Sequence, residues 1–192
     1  MDKRFLIIFL ISTLLYSKSF LREDYLEGYI ERDLNNSETI AAVLPFIGEH
    51  GESVRDYAEL YLGMHTELNI IERAAIDSIL AEQDLEPERL SEELRTKIKE
   101  LFGADVIVFG KVWSKEHISF LNIFIPWNWK DIVFEHWFVK MRIINADTGE
   151  IQGNYYLRDN DSDVSIGLNE YYLSETIEKI VLRMVEDNNK LS

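Results

Sequence analysis

Apolar and polar positions change rhythm several times along the chain, and each rhythm predicts a different element. Phe5 to Tyr16 is almost unbroken apolar chain, interrupted by Ser12 and Thr13, with Lys3 and Arg4 before it and Ser17 and Ser19 after it. A basic start, a short apolar run and small residues at alternate positions make up a secretory signal peptide, so cleavage is expected near Ser19 and residues 1–19 are set aside from the fold. Twelve helical residues reach only about 18 Å, too short for a hydrocarbon layer of about 30 Å, which argues against an uncleaved span. Residues 20–37 are rich in charge and Asn around Tyr25, Leu26, Tyr29 and Ile30, and read as a charged linker or a short, weakly docked helix.

From residue 38 to 192 the rhythm is that of one α/β domain. Thr39 to Ile47 (T-I-A-A-V-L-P-F-I) is continuous apolar chain, as a strand covered on both faces requires, with Pro45 at its exit. Ser53 and Asp56 match a capping pattern, and Val54, Tyr57, Ala58, Tyr61 and Leu62 share one helical face that ends near Gly63. Leu68 to Glu72 predicts a short strand, and Arg73 opens a helix carrying Ile76, Ile79 and Leu80. A second helix places Leu90, Leu94, Ile98, Leu101 and Phe102 on one side and stops at Gly103. Ala104 to Trp113 is the most strand-like segment of the chain. Ile132 to Asn145 is a long strand with Val133, Trp137, Val139, Met141 and Ile143 on one face and His136, Lys140 and Arg142 on the other. Asn145-Ala-Asp-Thr-Gly149 is turn chemistry, joining that strand to Ile151–Leu157 as an antiparallel hairpin. From Ser174 onward, Ile177, Ile180, Val181, Met184 and Val185 predict a helix lying on the sheet. The expected order is β-α-β-α-α-β-β-β-α, a mixed sheet with packed helices.

Composition narrows the function classes. Against 20 Lys+Arg stand 35 Asp+Glu, a formal charge of −15, with no basic stripe visible along the sequence, so nucleic acid is not expected as a partner. With no cysteine there is no disulfide framework, thiolate nucleophile or acyl-anchor cysteine.

Four segments, in order, carry a family likeness: Ile40-Ala-Ala-Val-Leu-Pro-Phe46; Ile70-Ile-Glu-Arg73 with Ile76, Ile79, Leu80, Glu82 and Gln83; Phe102-Gly-Ala-Asp-Val-Ile-Val-Phe-Gly110; and Arg142-Ile-Ile-Asn-Ala-Asp-Thr-Gly-Glu150. Together they resemble the CsgG family of bacterial envelope proteins, which includes the curli secretion channel; the TolB amino-terminal domain and accessory lipoproteins of the flagellum and of cell-wall synthases are similar. The resemblance implies an exported, non-enzymatic accessory protein, periplasmic or associated with the outer membrane, that binds other envelope proteins. Assembly of copies into an oligomeric ring is the alternative it suggests. Two departures stand out. The acylated cysteine common in the family is absent, and only Ser114 to Asp131 offers a membrane hairpin where channel members insert two, so a pore is not expected. Glu72 and Arg73, at a strand-to-helix junction, read as a structural fastening, not as catalytic groups.

Three other constellations carry candidate chemistry. Phe120-Leu-Asn-Ile-Phe-Ile-Pro-Trp-Asn-Trp129 is a large apolar run where connections are ordinarily polar. Phe120, Ile123, Phe124, Ile125, Trp127 and Trp129 are therefore candidates for a protein interface or a membrane-interface contact, the competing reading being core. Asp159, Asp161, Asp163 and Glu170 occupy positions 1, 3, 5 and 12 of a calcium-loop pattern, but position 6 holds Val164 instead of glycine, and a strand is expected before it instead of a helix. Without calcium there no cofactor is expected, and the alternative function is a calcium-binding periplasmic protein. Glu116-His117 and Glu135-His136 flank the aromatic run, and a hairpin turning near Trp127 would carry the two imidazoles toward one another as a candidate metal pair.

Overall fold

The computed structural model describes residues 25–82, 90–118, 133–158 and 170–191. Among the described residues there are six strands: β1 (Tyr25–Ile30), β2 (Ile40–Val43), β3 (Asn69–Ile70), β4 (Val106–Ile118), β5 (Val133–Asn145) and β6 (Ile151–Arg158). Four helices accompany them: α1 (Gly51–His65), α2 (Arg73–Glu82), α3 (Glu92–Phe102) and α4 (Glu170–Asn188). The sheet is open, in the order β1-β6-β5-β4-β2-β3. From β1 to β4 every neighbour is antiparallel, while β4, β2 and β3 run parallel. The mixed α/β architecture and the expected element order hold, with one strand added in front.

That added strand is β1, within the segment expected as linker or short helix. Leu26 and Ile30 turn toward the core. Gly28 lies so close to the ring of Tyr155 that a Cβ would come within 2.2 Å of it. A helix would need spaced apolar positions over several turns, whereas this segment supplies one alternating face and a bare backbone position for an aromatic ring to cross.

α1 begins earlier than the Ser53 capping pattern predicts. Gly48 (φ 112°) and His50 (φ 64°) turn the backbone left-handed, and Gly51 N–H donates to Gly48 O at 3.1 Å, so Ser53 sits inside the helix. A Cβ at Gly51 would fall 1.8 Å from Phe46 O, so this short loop tolerates only glycine there. α3 is bounded as its sequence dictates. The Ser91 side chain accepts from Leu94 N–H, Glu92 and Glu93 stand at the positive end of the helix dipole, and Gly103 (φ 68°) closes it. α4 starts at Glu170, ahead of Ser174.

Two apolar clusters sandwich the sheet. On one face, here the inner face, Val106, Val108 and Val112 of β4, Val139, Met141 and Ile143 of β5 and Tyr155 and Leu157 of β6 pack against Val54, Ala58 and Leu62 of α1 and Ile177, Ile180, Val181 and Met184 of α4. On the outer face, Ala42, Leu44, Ile107 and Ile144 meet Ile76 of α2 and Leu94 and Ile98 of α3. Each fully buried aliphatic side chain contributes about 1.5–3 kcal/mol through burial. The end of α4 ties β6 and the loop after β1 together. Tyr155 Oη donates to Asp187 at 3.1 Å, and Asn188 Oδ1 accepts from Leu34 N–H at 3.0 Å.

Candidate functional site

Among the described residues, β4 and β5 pair beyond their neighbours. The described pairing of β6 with β5 reaches Phe138↔Arg158, and β2 leaves β4 at Val108 apart from a bridge between Ile47 and Lys111. The ladder between β4 and β5 nonetheless continues from Ser114↔Trp137 to Ile118↔Val133. The result is a two-stranded arm. Its root is braced by Trp137, whose ring meets His50 edge-on at 5.5 Å, and by Val112 N–H donating to Ile47 O at 2.8 Å. The candidate residues Phe120, Ile123, Phe124, Ile125, Trp127 and Trp129 belong to the chain between the ends of this arm and lie outside the described residues.

The outer face holds a feature that linear reading misses. α2 and α3 cover only its β2 side, and the outer cluster ends at Phe109 and Ile144. Beyond it, Trp113, Phe138 and Tyr156 form a triangle of rings with centroids 5.4, 6.2 and 6.1 Å apart. Lys111 Nζ stands 5.8 Å from the Trp113 ring and the Arg158 guanidinium 5.8 Å from that of Phe138. Strand register places Lys140 and Arg142 on the same face, and Lys115 one step past Trp113. The expectation that no basic cluster offsets the acidic balance is thereby corrected. The cations are scattered over three strands in sequence, and only pairing register collects them.

These cations differ from the rest. Arg55, Arg73, Lys97, Lys99, Lys179, Arg183 and Lys190 each meet a carboxylate. Arg95 donates to the carbonyls of Ala146 and Asp147, and Arg32 to Thr39. Among the described residues, Lys111, Lys115, Lys140, Arg142 and Arg158 form no ion pair. The Nε atoms of Arg142 and Arg158 and Oε1 of Gln152 are buried without a hydrogen-bond partner. A described acid of this face, Glu27, accepts from Tyr25 Oη at 2.5 Å. Burial, with Glu27 nearby, raises the Tyr156 phenol above its ordinary range despite Arg158.

A second polar constellation was not singled out by sequence reasoning. Arg55 of α1 is fully buried: Nε donates to Val43 O at 3.0 Å and to Glu59 at 3.1 Å, and Nη1 meets Asp77 of α2 at 2.5 Å. Burial pushes the Glu59 carboxyl up, against the pull of Arg55. Arg73 meets Glu52 and Asp56, which fastens the start of α2 to the first turns of α1, and Asp77 on its own helix; the fastening expected of Glu72 and Arg73 is made by Arg73. The arrangement is a clamp between helices in which two cations meet four carboxylates, with Arg55 Nη2 buried and unpartnered. The β2–α1 loop beside it forms an open cleft of about 370 Å³ lined by Pro45 to Ile47, Gly48, and His50 to Glu52.

Of the calcium-loop candidates, Asp159, Asp161 and Asp163 lie outside the described residues, and Glu170 is the first residue of α4. β6 runs to Arg158 immediately before them, so the flank is the expected strand. Register pairs His136 with Lys115 and His117 with Phe134, leaving the two histidines not directly opposed. Among the described residues no group of three or more His, Asp or Glu is placed to hold a metal ion, and no helix is long and apolar enough to cross a membrane.

No protein-family model and no curated protein sequence matches the chain. Solved structures share its fold. A variant of PelC from Paraburkholderia phytofirmans, a dodecamer, is 13% identical with a TM-score of 0.50, covering 84% of this chain and 98% of that one. Lipoprotein GNA1162 from Neisseria meningitidis is 13% identical at a TM-score of 0.48, covering 76% and 96%. The LpoB C-terminal domain from Salmonella enterica is 10% identical at 0.43, covering 63% and 82%. The likeness is one of fold.

Proposed function

We propose that this chain is an exported accessory protein of the bacterial cell envelope that works by binding other envelope proteins and has no chemistry of its own. The observation that carries the reading is the β4–β5 ladder, which among the described residues continues past its neighbours on a braced root, with the aromatic run Phe120–Trp129 in the chain between its ends. The signal-peptide pattern and the CsgG-like segments support export and an envelope role. In this reading the run supplies an apolar anchor that a partner can enclose.

Replacing Trp127 and Trp129 with Ser should abolish co-purification of partners cross-linked in intact cells, with the far-ultraviolet spectrum unchanged. Loss of folding would place the run in the core, and a turnover that vanishes on changing one acidic side chain would overturn the non-enzymatic reading. Ring assembly is a sharper form of the proposal, supported by a fold shared with a dodecamer. Sedimentation velocity of the processed chain should then show a discrete high-order species, and a monomer at all concentrations would remove it.

A further inference from the structure

We infer that the outer face of β4, β5 and β6 is a docking surface for a carboxylate-rich segment of another protein. Its acids would pair with Arg142, Arg158, Lys140 and Lys111, and its apolar side chains would pack on the rings of Trp113, Phe138 and Tyr156. The inference rests on the reading that the chain works by binding, and it concerns a surface separate from the aromatic run.

The charge pattern comes first. In a chain of −15, where carboxylates outnumber cations, the other described lysines and arginines have found a partner, most of them a carboxylate. Five, all on one face, form no ion pair with any described acid. Both guanidiniums there keep a buried Nε donor unpartnered, an arrangement that costs free energy until an acceptor arrives. A guanidinium presents a planar fork that a carboxylate satisfies with two parallel bonds. The complement of this face is therefore anionic, and planar carboxylate suits it best.

Ring geometry chooses between polymers bearing carboxylates. A glycan chain stacks along a row of aromatic rings, one sugar after another. Here the three centroids form a nearly equilateral triangle, a compact platform for one anchoring side chain. Trp, Tyr and Arg are also the residues that dominate the energetics of protein interfaces. The half-buried rings and flanking cations reproduce that composition on an open sheet.

Binding of a short labelled peptide of alternating Glu and Leu to the processed full chain, followed by fluorescence anisotropy, tests the inference. The peptide should bind at least about tenfold more tightly than its Gln–Leu counterpart, because hydrogen bonds between ionised groups are stronger than neutral ones. Arg142→Gln with Arg158→Gln should erase that preference, while Lys179→Gln on α4 leaves it intact. Should the arginine pair fail to fold, Lys111→Gln with Lys140→Gln should weaken the acidic peptide by about threefold or more. Equal binding of the two peptides, no binding, or insensitivity to these substitutions would overturn the inference. So would tighter binding of polygalacturonate or a single-stranded DNA oligonucleotide, or self-association of the chain through this face. None of these outcomes depends on Trp127 or Trp129, so this surface and the aromatic run stand or fall separately.

Discussion

Alternate residues of β5 belong to two different environments. Trp137, Val139, Met141 and Ile143 point inward and are buried beneath α1 and α4, whereas Phe138, Lys140 and Arg142 point outward onto a surface that the described helices leave open. Both faces use large side chains, but they satisfy them differently. The inner face fills volume with aliphatic groups in contact with helices. The outer face stacks rings beneath cations that form no ion pair among the described residues. Stability is concentrated on the first, and capacity for association is left on the second.

Substitutions can break this contrast at several points. The largest effect is expected at Arg55, the buried cation that does have its acids: Arg55→Ala should cost about 3–5 kcal/mol, because Glu59 and Val43 O lose their partner and the buried stem leaves a cavity where α1 meets the sheet. Met141→Ala should cost about 2–5 kcal/mol through lost burial and a residual cavity, read as a lower urea midpoint at unchanged slope. Tyr155→Phe removes one hydrogen bond to Asp187 and should cost about 1 kcal/mol. Lys140→Ala, one residue from Met141 but facing outward, should stay within about 0.5 kcal/mol of wild type. If Lys140→Ala destabilised the fold as much as Met141→Ala, the outer face would be core and the contrast would fail.

A pH series sharpens the inner side. Burial opposes ionisation of Asp187, but hydrogen bonds from Lys190, Arg183 and Tyr155 outweigh it and hold the carboxyl below its ordinary value. Its contribution is therefore fully present above the unfolded value of 3.8 and is lost as pH falls through the lower folded value. Asp187→Asn should flatten that part of the acid limb of a stability profile and leave the neutral-to-alkaline region parallel to wild type.

Local periodicity made most of the architecture legible. The alternation in β5 and β6, the apolar face of α1 and the bounds of α3 all follow from side chains within one element, where spacing alone decides burial. β1 escaped because nothing near it in sequence signals a strand: its partner β6 lies at the far end of the chain, and its clearest cue is a glycine under a distant tyrosine. The basic face escaped for the same reason. Lys140 and Arg142 were legible as an outward pair, but joining them to Lys111 and Arg158 requires the register of three strands. Arg55 sits beside Val54 on a helix whose apolar stripe was read correctly, and its burial depends on carboxylates from its own next turn and from α2.

The pairing of β1 with β6, together with the bond from Leu34 N–H to Asn188, has a temporal consequence. The earliest of the described strands to leave the ribosome is among the last to find its place, because its docking partners are synthesised well over a hundred residues later. Such long-separation contacts slow the search for the native state. Until then the polypeptide holds an unzipped sheet margin, and any machinery that must handle it as an extended thread has that interval in which to act.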